Sequence, residues 1–402
     1  MLPVNYPLRT LNAWICILFA RLFRRRNTSR RSQALLCHPL ELVLLISRPQ
    51  DIDLLIDVYN QSCKRNDISV SFWATERVVN RFHATRKQLH SYHIKIDLTL
   101  NHARLWRAIG ELRNKDALLT TVESTLAAHK VPYLLTRIAN AAGARTYTLQ
   151  HGFENVGLTY RDGIYGPHVR FAAQTVLTWG PLENIPPAVS EETRRKCVAV
   201  GCPKIHLATP SEPIMNSGDR PIIALFEGLN ASRFDDRYIA QFFKDLQDMV
   251  QHFSALRFIL KPHPGALVRS PLHAKSLASL RGVEVLDPAH PESVNWSTPR
   301  LLTEALAVIT TPSTIALDAA LSKTPVAVIR CGQTIPYYEN YKPLPFFDEA
   351  KDWQDFINNI LRDPDFMESI RKAFLDRVML PGDAANRILD LVVANAHQVR
   401  ND

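Results

Sequence analysis

The chain has 402 residues, more than one hydrophobic core usually serves, so two domains are the expectation. Hydrophobic residues at 46% and charged residues at 22% are ordinary for a soluble globular protein. The formal charge of +9 is concentrated in residues 1–40, which hold seven arginines, no lysine and no acid, so the remainder carries only +2. That distribution excludes a protein-wide basic field of the kind that binds nucleic acid.

The head segment, residues 1–40, contains "LNAWICILFARLFRRRNTSRR". Its apolar run, Ala13 to Ala20, falls far short of the ~20 residues that span a bilayer. The charges follow the apolar stretch and no small-residue cleavage site is evident, which argues against a secretory signal. Trp14, Ile15, Leu18, Leu22 and Phe23 can share a helix face with arginines at its end, the pattern of a helix lying on an anionic membrane surface. The expected location is cytoplasmic, peripheral on the inner face of the cell membrane. The cysteines at 16, 37, 63, 197, 202 and 331 form no CxxC, and are read as reduced thiols without a structural zinc.

From residue 41 short apolar strands alternate with amphipathic helices. "ELVLLIS" reads as a buried strand, "DIDLLIDVYNQS" as a helix, "ISVSFWAT" as a strand and "RVVNRFHATRKQLHSYH" as a helix. "DALLTTVEST" is a strand, "HKVPYLLTRIANAAGA" a helix ended by Gly143, and "RTYTLQHGF" a strand tipped by Gln150, His151 and Gly152. "TVLTWGP" and "CVAVGCPK" follow as strands. Residues 208–220, "ATPSEPIMNSGDR", interrupt the pattern and read as a linker. The alternation restarts with strand "PIIALFEG", helix "DRYIAQFFKDLQDMVQHF", strands "RFILKPHPG" and "GVEVLD", and the strand–turn–helix–strand unit "ALAVITTPSTIALDAALSKTPVAVI". Three helices are expected after residue 347. This alternation predicts α/β architecture with parallel sheets covered on both faces. The predicted divisions are residues 1–40, 41–209, a linker at 210–220, 221–345, and 346–402 packing back on the first domain.

Ligands of open α/β sheets sit outside the carboxyl ends of the strands, so the residues after each strand are the informative ones. In the first half these include Thr121, Glu123, Ser124, Gln150, His151 and Gly152; in the second, Glu227, Gly228, Lys261, His263 and Thr310 to Thr314. His263 stands between Pro262 and Pro264, which restrict the backbone on both sides and aim the side chain. Ser313 and Thr314 precede a helix whose first amides suit a phosphate, with Lys261 and His263 completing an anion site. His151 is a candidate base for a hydroxyl, with Glu154 and Asp162 of the following loop as rivals. Glu227 is placed to accept a hydrogen bond from a sugar hydroxyl. No HExxH, DxD, GxGxxG or GxxxxGK[ST] is present, so no metal, Rossmann dinucleotide or P-loop signature supports a cofactor, and none is expected.

"LQHG" at 149–152, "GCPK" at 201–204, "KPHPG" at 261–265, "TTPSTIALDAALSKTPVAVI" at 310–329 and "GDAANRI" at 382–388 resemble the GT-B glycosyltransferases and glycerophosphotransferases of bacterial surface polysaccharides, of capsular and teichoic-acid type. The resemblance covers most of the chain from about residue 115. It implies two Rossmann-like parallel-sheet domains facing across a cleft, with C-terminal helices, an acceptor side at 41–209 and a nucleotide-donor side at 221–345. The substrates implied are a nucleotide-activated sugar and a saccharide or lipid-linked acceptor. His151 matches the His-Gly motif of the acceptor half and His263 the His-Pro motif that contacts donor phosphates. Ser313 and Thr314 match the phosphate-binding pair, and Asp318 an acidic residue of the following helix. The glycerophosphotransferases tend toward Trp-His-Gly-Thr where this chain has Gln150-His151-Gly152-Phe153, a departure that favours a sugar donor over CDP-glycerol. The bacterial polysialyltransferases carry an acidic pair before Gly in the acceptor half; here "FEG" at 226–228 lies in the other half. A CDP-glycerol-type glycerophosphotransferase, a non-hydrolysing UDP-sugar 2-epimerase, which shares the fold, and a non-catalytic carbohydrate- or membrane-binding protein are the alternatives.

Overall fold

The computed structural model describes residues 15–21, 38–81, 83–126, 129–153, 169–204, 220–229, 234–263, 271–286, 296–333 and 336–401. It divides into two compact units, Met1–Lys204 with Met379–Asp402, and Ile205–Val378.

Unit 1 is built on a parallel sheet of order β3-β2-β1-β4-β5-β6-β7. Its strands are β1 (Leu40–Ile46), β2 (Ile68–Thr75), β3 (Ile96–Leu100), β4 (Ala117–Thr120), β5 (Arg145–Leu149), β6 (Thr175–Thr178) and β7 (Cys197–Ala199). β1 and β4 are apolar almost throughout because both of their faces are covered by helices. Val43 and Leu45 of β1 and Leu118 of β4 point to one face, where they meet Leu105, Ala108 and Leu112 of helix Leu105–Leu112 and Leu135, Ile138 and Ala139 of helix Lys130–Ala142. Gly143 closes the latter helix at φ 93°, the left-handed conformation that glycine adopts without a Cβ penalty. Helix Asp51–Ser62 and the last helix, Ala384–Asn401, pack on each other and on the sheet.

Unit 2 repeats the plan with a parallel sheet of order β10-β9-β8-β11-β12-β13. The strands are β8 (Ile222–Glu227), β9 (Arg257–Pro262), β10 (Val283–Val285), β11 (Ala305–Thr310), β12 (Val326–Ile329) and β13 (Phe346–Phe347). Helix Asp236–His252 begins with Asp235 accepting from the amide of Tyr238 and buries Ile239, Phe242, Phe243, Leu246 and Met249.

Several features differ from the sequence reading, among them four helices it did not name, Leu105–Leu112, Glu191–Lys196, Pro271–Ser279 and Thr298–Glu304. β3 and β13 were not expected: β3 is only half buried, and β13 is two residues long at a sheet edge, too short for a periodic signal. The return to the first domain comes at Met379 rather than at 346. Helices Ala350–Arg362 and Glu368–Val378 stay with unit 2, where Trp353 packs on Phe347 and Phe242, and Arg371 donates to the carbonyl of Ala320. The last helix belongs to unit 1, where Asn395 donates to the Tyr147 hydroxyl and Asp390 pairs with Arg65. Amphipathic periodicity marks a helix but does not say which sheet it covers. Finally, residues 15–21 form the expected helix, yet Cys16, Ile17 and Ala20 are packed into the unit 1 core. Trp14, Leu22, Phe23 and the linker at 210–219 lie outside the described residues.

Candidate active site

In unit 1 the neighbouring strands β1, β4, β5 and β6 end on one edge, and their tips are cross-linked. Gln150 ties two of them: its Oε1 accepts from the Trp179 amide at 2.9 Å, and its Nε2 donates to the Gly152 carbonyl at 3.2 Å. His151, half-buried, is held through Nδ1, 3.1 Å from the Thr121 carbonyl oxygen after β4. An N–H at Nδ1 donating to that carbonyl places the basic lone pair of the ring on Nε2. Beneath Thr121 lies Asp51, fully buried at the start of its helix. Its Oδ2 accepts from the Ser47 amide and hydroxyl and the Arg48 amide at 2.7, 2.9 and 2.8 Å. Burial raises the Asp51 pKa, against the lowering effect of hydrogen bonds from Thr121, Ser47 and Arg48.

Glu123 is also buried, and burial lifts its carboxyl to about 7 although the Ala173 and Ala172 amides donate to it at 2.8 and 3.0 Å. It pins the segment that leads into β6. Ser124 Oγ lies 2.6 Å from Nδ1 of His129, whose pKa burial lowers to about 3, so that ring is a neutral structural group. Glu154 and Asp162, the rival bases, lie outside the described residues.

In unit 2 the tips of β9, β8 and β11 adjoin. The His263 amide donates to the Glu227 carbonyl at 2.7 Å, extending the ladder one step beyond β9. The side chain of His263 is exposed. The Gly228 amide donates to Thr311 Oγ1 at 2.9 Å, and a Cβ on Gly228 would lie 3.9 Å from that of His263. His263, Gly228 and Thr311 are therefore gathered at one point of the sheet edge, with Ser313 and Thr314 following on the chain. Ser313 Oγ accepts from the Ile315 amide at 3.3 Å, and Thr314 is the residue that begins helix Ile315–Leu321. Ser313 and Thr314 are both half-buried.

Three expected contributors to that edge are turned inward. Glu227 ends β8 opposite Pro262 and is 2% exposed. Its Oε2 accepts from the Leu229 amide at 2.8 Å, and its Oε1 lies 3.3 Å from Nε2 of the equally buried His273. A sugar hydroxyl cannot reach it there; the carboxylate organises the β8 tip instead. Lys261 donates to the Trp296 carbonyl at 2.7 Å, and burial lowers its amine to about 8. Asp318 is buried in its helix. His273 and Asp51 escaped the sequence reading because neither follows a strand directly; the acid four residues after a serine at a strand end was the available signal for Asp51. Among the described residues no group of three His, Cys, Asp or Glu side chains could hold a metal ion.

"GCPK" and "GDAANRI" meet in unit 1. Arg387 donates to the carbonyls of Val200 at 2.7 Å and Pro381 at 2.9 Å, beside Gly201.

No family model and no curated protein matches the chain. Solved structures do. S. aureus MnaA in its UDP co-structure superposes with a TM-score of 0.63 at 13% identity, over 89% of this chain and 97% of that one. UDP-GlcNAc 2-epimerase from Neisseria meningitidis bound to UDP-GlcNAc gives 0.60 at 13% identity, over 89% and 100%. A variant of the wall teichoic acid polymerase TagF gives 0.52 at 10% identity, over the whole of both chains. The chain has a GT-B-type fold. In GT-B terms, unit 1 is the N-terminal Rossmann-like body with its returning last helix, and unit 2 is the C-terminal body. At these identities the likeness concerns architecture, and the chemistry rests on the side chains just described.

Proposed function

We propose that the chain is a glycosyltransferase moving a sugar from a nucleotide-activated donor to a saccharide or lipid-linked acceptor in surface polysaccharide biosynthesis. One observation carries the reading: each parallel sheet ends in a histidine anchored by a neighbouring main-chain carbonyl, His151 through its ring and His263 through its amide. In this reading the acceptor oxygen attacks the anomeric carbon while the bond from that carbon to the phosphate oxygen breaks. His151 Nε2 takes the hydroxyl proton, and the departing electron pair stays on the nucleotide phosphate. His263, Ser313 and Thr314 offer N–H and O–H donors to that growing charge.

The test is a melting-temperature series with UDP, CDP and CMP, because a ligand that binds the native state raises apparent stability. At least one nucleotide raises the transition, and its sugar conjugate then supports transfer to added saccharide. A panel in which no nucleotide moves the transition ends the reading. The 2-epimerase reading is kept because two of the structural neighbours above are linked to UDP or UDP-GlcNAc. It predicts a change of sugar configuration with no acceptor present. A glycerophosphotransferase is recognised by turnover of CDP-glycerol.

A further inference from the structure

We propose that unit 1 docks on an anionic lipid surface through the outer side of one helical layer, made by the helix at 15–21, helix Leu105–Leu112 and helix Lys130–Ala142. All three send their inner residues into a single apolar cluster on the face of the sheet marked by Val43, Leu45 and Leu118. Each therefore turns its other side outward over the same face of the sheet.

That surface is unusually apolar for one exposed to water. On the first helix Ile15, Leu18 and Phe19, at turn spacing, are 41, 57 and 50% exposed, and on the second Trp106 is 60% exposed. A scatter of single exposed apolar residues needs no explanation, but three on one helical face with a tryptophan in the same layer do. One turn beyond Trp106, a Cβ on Gly110 would meet nothing within 4 Å, so the helix face there is open. Cations border these groups. Arg107 stands 5.6 Å over the Trp106 ring, while Lys130 and Arg137 stand 5.5 and 6.0 Å over that of Tyr133. Arg21 is exposed at the end of the first helix, and the sequence runs on into Arg24, Arg25 and Arg26. Glu111 is the exposed acid of the second helix, and Glu76 is paired with Arg104.

Exposed aliphatics, an interfacial tryptophan and an excess of arginine are complementary to a bilayer with anionic headgroups. A second copy of the same face would bring like charge against like. No described helix is long and apolar enough to cross a membrane, so the contact is a lateral one.

The experiment is co-sedimentation of the full chain with vesicles of phosphatidylcholine alone, or of phosphatidylcholine and phosphatidylglycerol at about two to one. The chain sediments with the anionic vesicles and remains in the supernatant with the neutral ones. Leu18→Ser with Phe19→Ser, and separately Trp106→Ala, lower the partition coefficient about tenfold, and Arg107→Glu about fivefold or more, with unchanged melting temperatures. Equal binding to neutral vesicles overturns the proposal. So does anionic binding that is indifferent to the apolar substitutions, which leaves a polybasic tail as the binder. Self-association abolished by Leu18→Ser, without vesicle binding, overturns it in favour of a protein interface. Sedimentation requires no turnover, so this outcome is independent of the transferase reading.

Discussion

Gly201 and Arg387 are packed so closely that a Cβ on Gly201 would lie 2.6 Å from Nη2 of Arg387. Gly201 has φ 91°, and the same Cβ would also stand 3.0 Å from the Leu380 carbonyl and 3.2 Å from Ala384 Cβ. This is where the last segment of the chain is fastened to unit 1. Gly201→Ala adds left-handed strain to a backbone contact that cannot yield, and costs on the order of 2–3 kcal/mol. The expected result is a melting temperature lower by roughly 5 °C or more. An unchanged transition contradicts the packing. Arg387→Lys is expected to destabilise as well, because a single ammonium cannot reach the Val200 and Pro381 carbonyls together.

The two histidines are predicted to separate chemistry from folding. His263→Ala removes a donor from an exposed strand tip whose backbone bond to Glu227 remains. His151→Gln keeps a polar side chain beside the Thr121 carbonyl but supplies no basic nitrogen. Each is expected to lower turnover by about two to four orders of magnitude, with the circular dichroism spectrum and melting temperature retained. Near-normal turnover of purified His263→Ala removes that residue from the mechanism.

Glu123 makes stability depend on pH. Its carboxyl titrates at about 7 in the fold against an ordinary 4.5, so between those values the folded chain binds the proton that the unfolded chain has released. Its contribution is fully present below pH 4.5 and is lost as the pH rises through 7, a difference of roughly 3 kcal/mol. Urea unfolding at a series of pH values is expected to show this fall. Glu123→Gln flattens it and costs about 1–3 kcal/mol at low pH, because an amide can accept from only one of the Ala172 and Ala173 amides. A slope identical in the two proteins refutes the assignment.

Lys261 acts within unit 2. Its ammonium satisfies the carbonyl of Trp296, whose ring lies 5.2 Å from the guanidinium of Arg257 and 4.5 Å from that of Arg300. Lys261→Met is expected to lower the melting temperature by about 2–4 °C while altering nucleotide-induced shifts little. Burial holds the amine near 8 against an ordinary 10.5, so stability should rise with pH between those values, and the substitution should abolish that rise. A large loss of nucleotide binding at unchanged stability would assign Lys261 to the phosphate instead.

What the amino-acid sequence determined by itself was the layered plan. The largely apolar runs of β1, β4 and β8 need cover on both faces, and in a chain alternating strands with helices parallel sheets provide it. Strand ends are equally local events, so the residues following β5 and β9 could be named before any fold was known. Orientation and allegiance were decided in three dimensions. Glu227 and His263 both follow apolar strands, but one is sealed against His273 and the other is exposed, because neighbours from a distant helix determine which tip is covered. The helices between 350 and 378 are amphipathic like the last helix, yet they belong to unit 2 and the last helix to unit 1, where Gly201 leaves room for Arg387. Periodicity encodes that a face must be buried; the burying surface is chosen by shape and by hydrogen-bond partners far away in the chain.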